Sequence, residues 1–104
     1  MSDQITLDPN NFSEQTLQEA AHGRSATIKP QLAVVLLKAK LGAASEPHLA
    51  TLASDEQVDP RVRQQAIREL SEFPGAKALL KKLSGSSNPL VSQSASQALQ
   101  GHNR

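Results

Sequence analysis

The stretch "DPRVRQQAIREL" at 59–70 returns 29 residues later as "NPLVSQSASQAL" at 88–99, with Pro60/Pro89, Val62/Val91, Gln64/Gln93, Ala66/Ala95 and Leu70/Leu99 in register. The first copy opens as a helix: Asp59 is suited to cap free N–H groups, and Pro60 suits the first helical position, where no amide donor is needed. The residues between the copies repeat as well. Leu49, Ala53 and Ser54 reappear 30 positions on as Leu79, Leu83 and Ser84, and the one-residue change is absorbed where "SDEQVDP" becomes "SGSSNP". Pro30 stands a further 30 residues before Pro60. A fixed period with two helices per unit is the signature of a helical solenoid, because one pair cannot bury its apolar face alone and neighbours stack to do so.

Prolines and glycines divide the chain into six short segments with apolar residues at helical spacing, and no strand pattern interrupts them. Residues 13–22 have Ser13 as a cap, Leu17, Ala20 and Ala21 on one face, and Gly23 as a left-handed stop. Residues 30–41 carry Leu32, Val34, Val35, Leu36, Leu37, Ala39 and Leu41, which leaves hardly any polar face and predicts the most buried helix. The third segment, 46–54, is expected to be capped by Ser45 and to bury Leu49, Leu52 and Ala53. In the fourth, Val62, Ala66, Leu70 and Phe73 form one stripe. The fifth sets Ala76, Leu79, Leu80 and Leu83 opposite Lys77, Lys81 and Lys82. The sixth, 89–100, turns Val91, Ala95, Ala98 and Leu99 inward and ends at Gly101. The expected organisation is a flexible segment 1–12, one domain over 13–100 made of helix pairs 13–41, 46–73 and 76–100, and a disordered tail 101–104.

Composition narrows the core. Alanine supplies 14 residues and aromatics only Phe12 and Phe73, so the elements must be small and closely packed. The absence of cysteine removes disulfides, thiol nucleophiles and Cys-ligated zinc. The start "MSDQITLD" lacks the basic and apolar regions of a secretory signal, and the longest apolar run, "LAVVLL" at 32–37, is too short to span a bilayer. A cytoplasmic protein that engages no membrane is the expectation.

The pattern "DPRVRQQAIREL…GAKALLKKLS" resembles the HEAT family, in particular the short HEAT-like repeats of phycobilisome lyases, whose units run D-x-x-V-R-x-x-A-x-x-x-L, a turn, then a second leucine-rich helix. The carriers are Asp59, Val62, Arg63, Ala66 and Leu70, followed by Leu79, Leu80 and Leu83. Asp59 and Arg63 sit at i, i+4, the favourable acidic-first order for an ion pair. Their counterparts are Asn88 and Ser92 in the last unit and Lys29 and Ala33 in the first, so no Asp–Arg ladder runs between units. The resemblance covers about residues 45–100 and implies an all-α, right-handed α-α solenoid of three helix pairs, about six helices. In the last helix Ser92, Gln93, Ser94, Ser96, Gln97 and Gln100 are expected to face away from the stack, as the wettable outer face of a terminal repeat.

Signatures of chemistry are sparse. His22, His48 and His102 are far apart, and no spacing sets two metal ligands on one helix face, although His22 and His48 fall near the ends of adjacent first-position helices, where they are able to approach each other. "DEQVD" at 55–59 has the alternating oxygen donors of a calcium loop, but Pro60 and Ala66 stand where an EF-hand needs Gly and a bidentate Glu; it reads as an acidic loop ending in a cap. No phosphate-cradling glycine loop or nucleophile elbow appears, and "SGSSNP" reads as a linker. Residues 1–58 hold four Lys or Arg against seven acids, whereas residues 59–104 hold seven against three. Arg61, Arg63, Arg68 and Lys77, Lys81, Lys82 in that basic half are the candidates for nucleic-acid contact, but no Trp or Tyr is present to stack on bases.

The reading is therefore a non-catalytic protein-interaction or scaffold module with no cofactor, no metal and no small-molecule substrate evident. The first-position helices 13–22, 46–54 and 76–84 line the expected concave side, and their outward residues Glu14, Gln18, His22, His48, Thr51, Lys77 and Lys81 form a strip grading from acidic to basic, along which a partner protein of complementary charge docks. Two alternatives remain open at this point: a nucleic-acid-binding helical repeat using the basic half, and an accessory subunit of an enzyme such as a bilin lyase, which the resemblance permits.

Overall fold

A computed structural model describes residues 12–102, with no side-chain description for 101 and 102. Among the described residues the chain is all helical: α1 (Glu14–Ala21), α2 (Pro30–Leu41), α3 (Glu46–Ser54), α4 (Pro60–Leu70), α5 (Lys77–Leu83) and α6 (Pro89–His102), with 3₁₀ turns at Gly42–Ser45 and Pro74–Ala76. No helix is long and apolar enough to cross a membrane.

Local chemistry accounts for most boundaries. Ser13 Oγ accepts from Thr16 N and starts α1. Gly23, at φ 82°, ends it with Gly23 N donating to Ala20 O and Arg24 N to Glu19 O, the paired bonds of a Schellman stop. Asp59 Oδ1 accepts from Arg61 N at 2.8 Å, and Asn88 Oδ1 accepts from Leu90 N at 3.0 Å, so the aligned residues 59 and 88 cap α4 and α6 in the same manner. Ser45 is different. Its hydroxyl donates back to Gly42 O at 2.6 Å and is wholly buried, so it closes the 3₁₀ turn and makes no side-chain cap for α3.

Consecutive helices pack as hairpins, α1 on α2, α3 on α4 and α5 on α6, and α4 packs against both α2 and α6. The molecule is elongated, 48 × 27 × 20 Å. One apolar cluster runs through all six helices, from Leu17, Leu37 and Leu49 to Ile67, Leu70, Leu80 and Val91, with Phe12 and Phe73 packed half-buried against it. Phe12 thus joins the core, while the rest of the expected flexible segment 1–12 lies outside the described residues.

Four further sequence expectations are corrected. Val35 and Ala39 are exposed, because α2 has packing neighbours on only part of its circumference. Ser94 is 6% exposed and not outward: with Val91, Ala95 and Ala98 it occupies the buried i, i+3, i+4, i+7 stripe, where a small hydroxyl residue fits. The last helix continues through Gly101 to His102, which shortens the expected tail; residues 103 and 104 lie outside the described part. Arg63 is 5% exposed, and it is bonded to α3, whereas no ion pair with Asp59 occurs among the described residues.

Candidate functional site

Five of the seven strip residues come together where α1 lies beside α3. Glu14 Oε2 accepts from Gln18 Nε2 at 2.9 Å, one helical turn away, and meets His48 Nε2 of α3 at 3.1 Å. Gln18 Nε2 lies 3.2 Å from His48 Nδ1. One tautomer satisfies this triangle: His48 donates from Nε2–H to Glu14, and its bare Nδ1 accepts from Gln18. Both ring nitrogens are then engaged. Thr51, one turn further along α3, donates its hydroxyl to Pro47 O at 3.0 Å. Gln18, His22, His48, Thr51 and Leu52 line a cavity of about 210 Å³, so the two histidines expected to approach do face one space.

Lys77 and Lys81 are exposed on α5, beside the stripe of buried Leu80 and Leu83, and make no ion pair among the described residues. Among the described residues no side-chain hydrogen bond or ion pair joins them to the α1–α3 cluster. Gly75, in the turn before α5, faces the start of α3, where a Cβ added to it would stand 3.1 Å from Glu46 Oε2.

A second polar cavity, of about 420 Å³, opens between the C-terminal ends of α3 and α5 and the start of α6, and the sequence reading did not single it out. Its residues include Arg63 and Lys82. Arg63 reaches across its hairpin and donates from Nε to Ala53 O at 2.9 Å, one of the carbonyls left without a helical partner at the end of α3. The signal in the sequence was the arginine of the "DPRVR" pattern, but it pointed to Asp59. With Arg63 withdrawn from the surface, the basic patch considered for nucleic acid is reduced to Arg61, Arg68 and the three lysines of α5.

The acidic loop forms local turns: Asp55 Oδ1 accepts from Gln57 N at 2.8 Å while Asp59 caps α4. Among the described residues no group of three or more His, Asp or Glu is arranged to hold a metal ion. On the other side of the molecule Lys38 of α2 lies 3.6 Å from Glu69 of α4 and is hydrogen-bonded to Glu72; that bond, with the charge of both carboxylates, holds the Lys38 amine above its ordinary pKa against the opposing effect of burial.

No family model matches the chain, and no curated protein or solved structure matches it.

Proposed function

We propose that the chain is a non-catalytic protein-binding module, a short HEAT-like solenoid of three helix pairs whose first helices present the docking strip. The packing of α4 between α2 and α6, with each of these helices opened by a proline, supports a row of stacked hairpins. The observation that carries the binding reading is the α1–α3 cluster: Gln18, His22, His48 and Thr51 converge on one open space although they come from two hairpins. Catalysis is a poorer fit to the same groups. His48 has both nitrogens occupied and Thr51 spends its hydroxyl proton on a backbone carbonyl; His22, the other imidazole at the cavity, has no hydroxyl within hydrogen-bond distance among the described residues, so no base–nucleophile pair stands there.

The partner is a protein segment with basic residues toward Glu14 and acidic residues toward Lys77 and Lys81. Affinity capture from the native host with wild-type protein and with the Lys77→Glu/Lys81→Glu and Glu14→Lys variants tests this. A partner retained by wild type and lost from both variants, with unchanged helical circular dichroism, is the expected result; partners that all remain bound to both variants refute the strip.

A further inference from the structure

We infer that the cavity beside Arg63 is a phosphoryl-binding site, separate from the proposed strip and independent of it. The first ground is an arginine nine-tenths buried with most of its donors unused. Arg63 is 5% exposed, lines the cavity, and uses Nε for Ala53 O; its two Nη groups have no protein acceptor among the described residues. A buried guanidinium carries a heavy desolvation cost unless its donors and its charge are answered. No carboxylate lies within ion-pair distance of it among the described residues, so the donors not taken up by Ala53 are left for whatever enters the cavity.

The second ground is the chemistry of the other walls. Lys82 adds a second cation. The start of α6 forms one wall, and there Asn88 spends its Oδ1 on the amides of Leu90 and Val91, which leaves its NH₂ group to donate. Ser86 accepts from Asn88 N, so its hydroxyl proton is likewise free, and Ser54 and Ser87 contribute further hydroxyls. Among the described residues the only anionic side chain lining the space is Glu56. Donors thus surround the cavity from α3, α4, α5 and the α5–α6 loop, at the positive end of a 14-residue helix. A planar carboxylate presents two oxygens and meets such a set only in part. A tetrahedral phosphoryl group presents three and can take the forked guanidinium on one edge while its remaining oxygens meet Lys82 and the hydroxyl and amide donors. At about 420 Å³ the cavity has room for that group together with the atoms that carry it.

The phosphoryl group has two sources, free phosphate or a phosphorylated side chain of a partner, and the test separates them. Titrations of ¹⁵N-labelled protein at fixed ionic strength use inorganic phosphate, a phosphoserine peptide, the same peptide without phosphate, and acetate. The expected result is a saturable shift confined to the amides of residues 84–91 and the Arg63 side chain with phosphate, with the phosphopeptide, or with both; the tighter of the two identifies the source. Lys82→Gln weakens binding at least tenfold and Glu56→Gln strengthens it, and since both positions are exposed neither depends on the variant surviving loss of a core residue. Shifts that never saturate, that are matched by acetate, or that are unaltered in Lys82→Gln overturn the assignment.

Discussion

The first and second hairpins are joined differently from the second and third. Between the first two, polar contacts stand on both flanks: His48 meets Glu14 and Gln18 where α3 passes α1, and Lys38 meets Glu69 and Glu72 where α2 passes α4. Between the second and third, no side-chain hydrogen bond or ion pair bridges the hairpins among the described residues. There α4 sets Val62, Ala66, Ile67 and Leu70 toward the core, and α6 contributes the small residues Val91, Ser94, Ala95 and Ala98. The lesson is that neighbouring hairpins need not repeat their joints: both are closed by apolar packing, which is strong and little affected by solution conditions, and the first alone adds polar contacts at its flanks, which are weak and responsive to salt and pH.

The comparison breaks most severely at α4, which serves both joints. Ile67→Ala removes a side chain that is fully buried on that helix, and a loss of about 2–5 kcal/mol is expected. Against a total of about 5–15 kcal/mol for a domain, that is enough to bring the denaturant midpoint down sharply, and an Ile67→Ala protein as stable as wild type would mean α4 is not the shared core element. Ser94 then sharpens the second joint. Enlarging it in Ser94→Leu is expected to cost about 1–3 kcal/mol by overpacking, while Ser94→Ala leaves the unfolding midpoint close to that of wild type. Equal tolerance of both substitutions would show that α6 does not lie close at that point.

What the sequence made legible, and what it hid, follows the same division between local and non-local causes. Pro30, Pro60 and Pro89 open α2, α4 and α6, and Gly23 stops α1, because these effects are decided within a few residues. Ser94 was also legible in principle: it lies at i+3 from Val91, but its polarity concealed a place in the buried stripe. Val35 misled in the opposite direction. A helix apolar on all sides is buried on all sides only where it has neighbours on all sides, and α2 packs chiefly on α1 and α4. Arg63 was the hardest. Its spacing from Asp59 was a local fact, whereas its true partner, the Ala53 carbonyl, depends on where the end of α3 is set down by the rest of the fold. The α1–α3 cluster was partly legible, since the 30-residue spacing of Gln18 and His48 set them on two helices expected to be neighbours; the triangle they close with Glu14 was not.

Smaller effects test the first joint. Glu14→Ala removes the acceptor shared by Gln18 and His48, and an exposed contact of this kind contributes less than about 1 kcal/mol. The difference from wild type is expected to shrink further in 1 M salt, where the screening length falls to about 3 Å. A salt-independent difference would mean that α1 is held to α3 by packing alone.

The Lys38 clip makes the finest distinction, because its signature is a pH window. Its pKa is raised in the folded protein, so folding favours the protonated amine. The clip's contribution is therefore fully present below the unfolded value of 10.5 and disappears as pH climbs through the higher folded value. Other lysines titrate in the same range, so the informative quantity is the difference between wild type and Lys38→Met, measured by urea unfolding at pH 8 and again above pH 11. Below about 1 kcal/mol at pH 8, it should fall toward zero at the higher pH. A difference that stays constant would reassign the effect of Lys38 to the packing of its aliphatic stem on α4, and both joints would then be apolar on that flank.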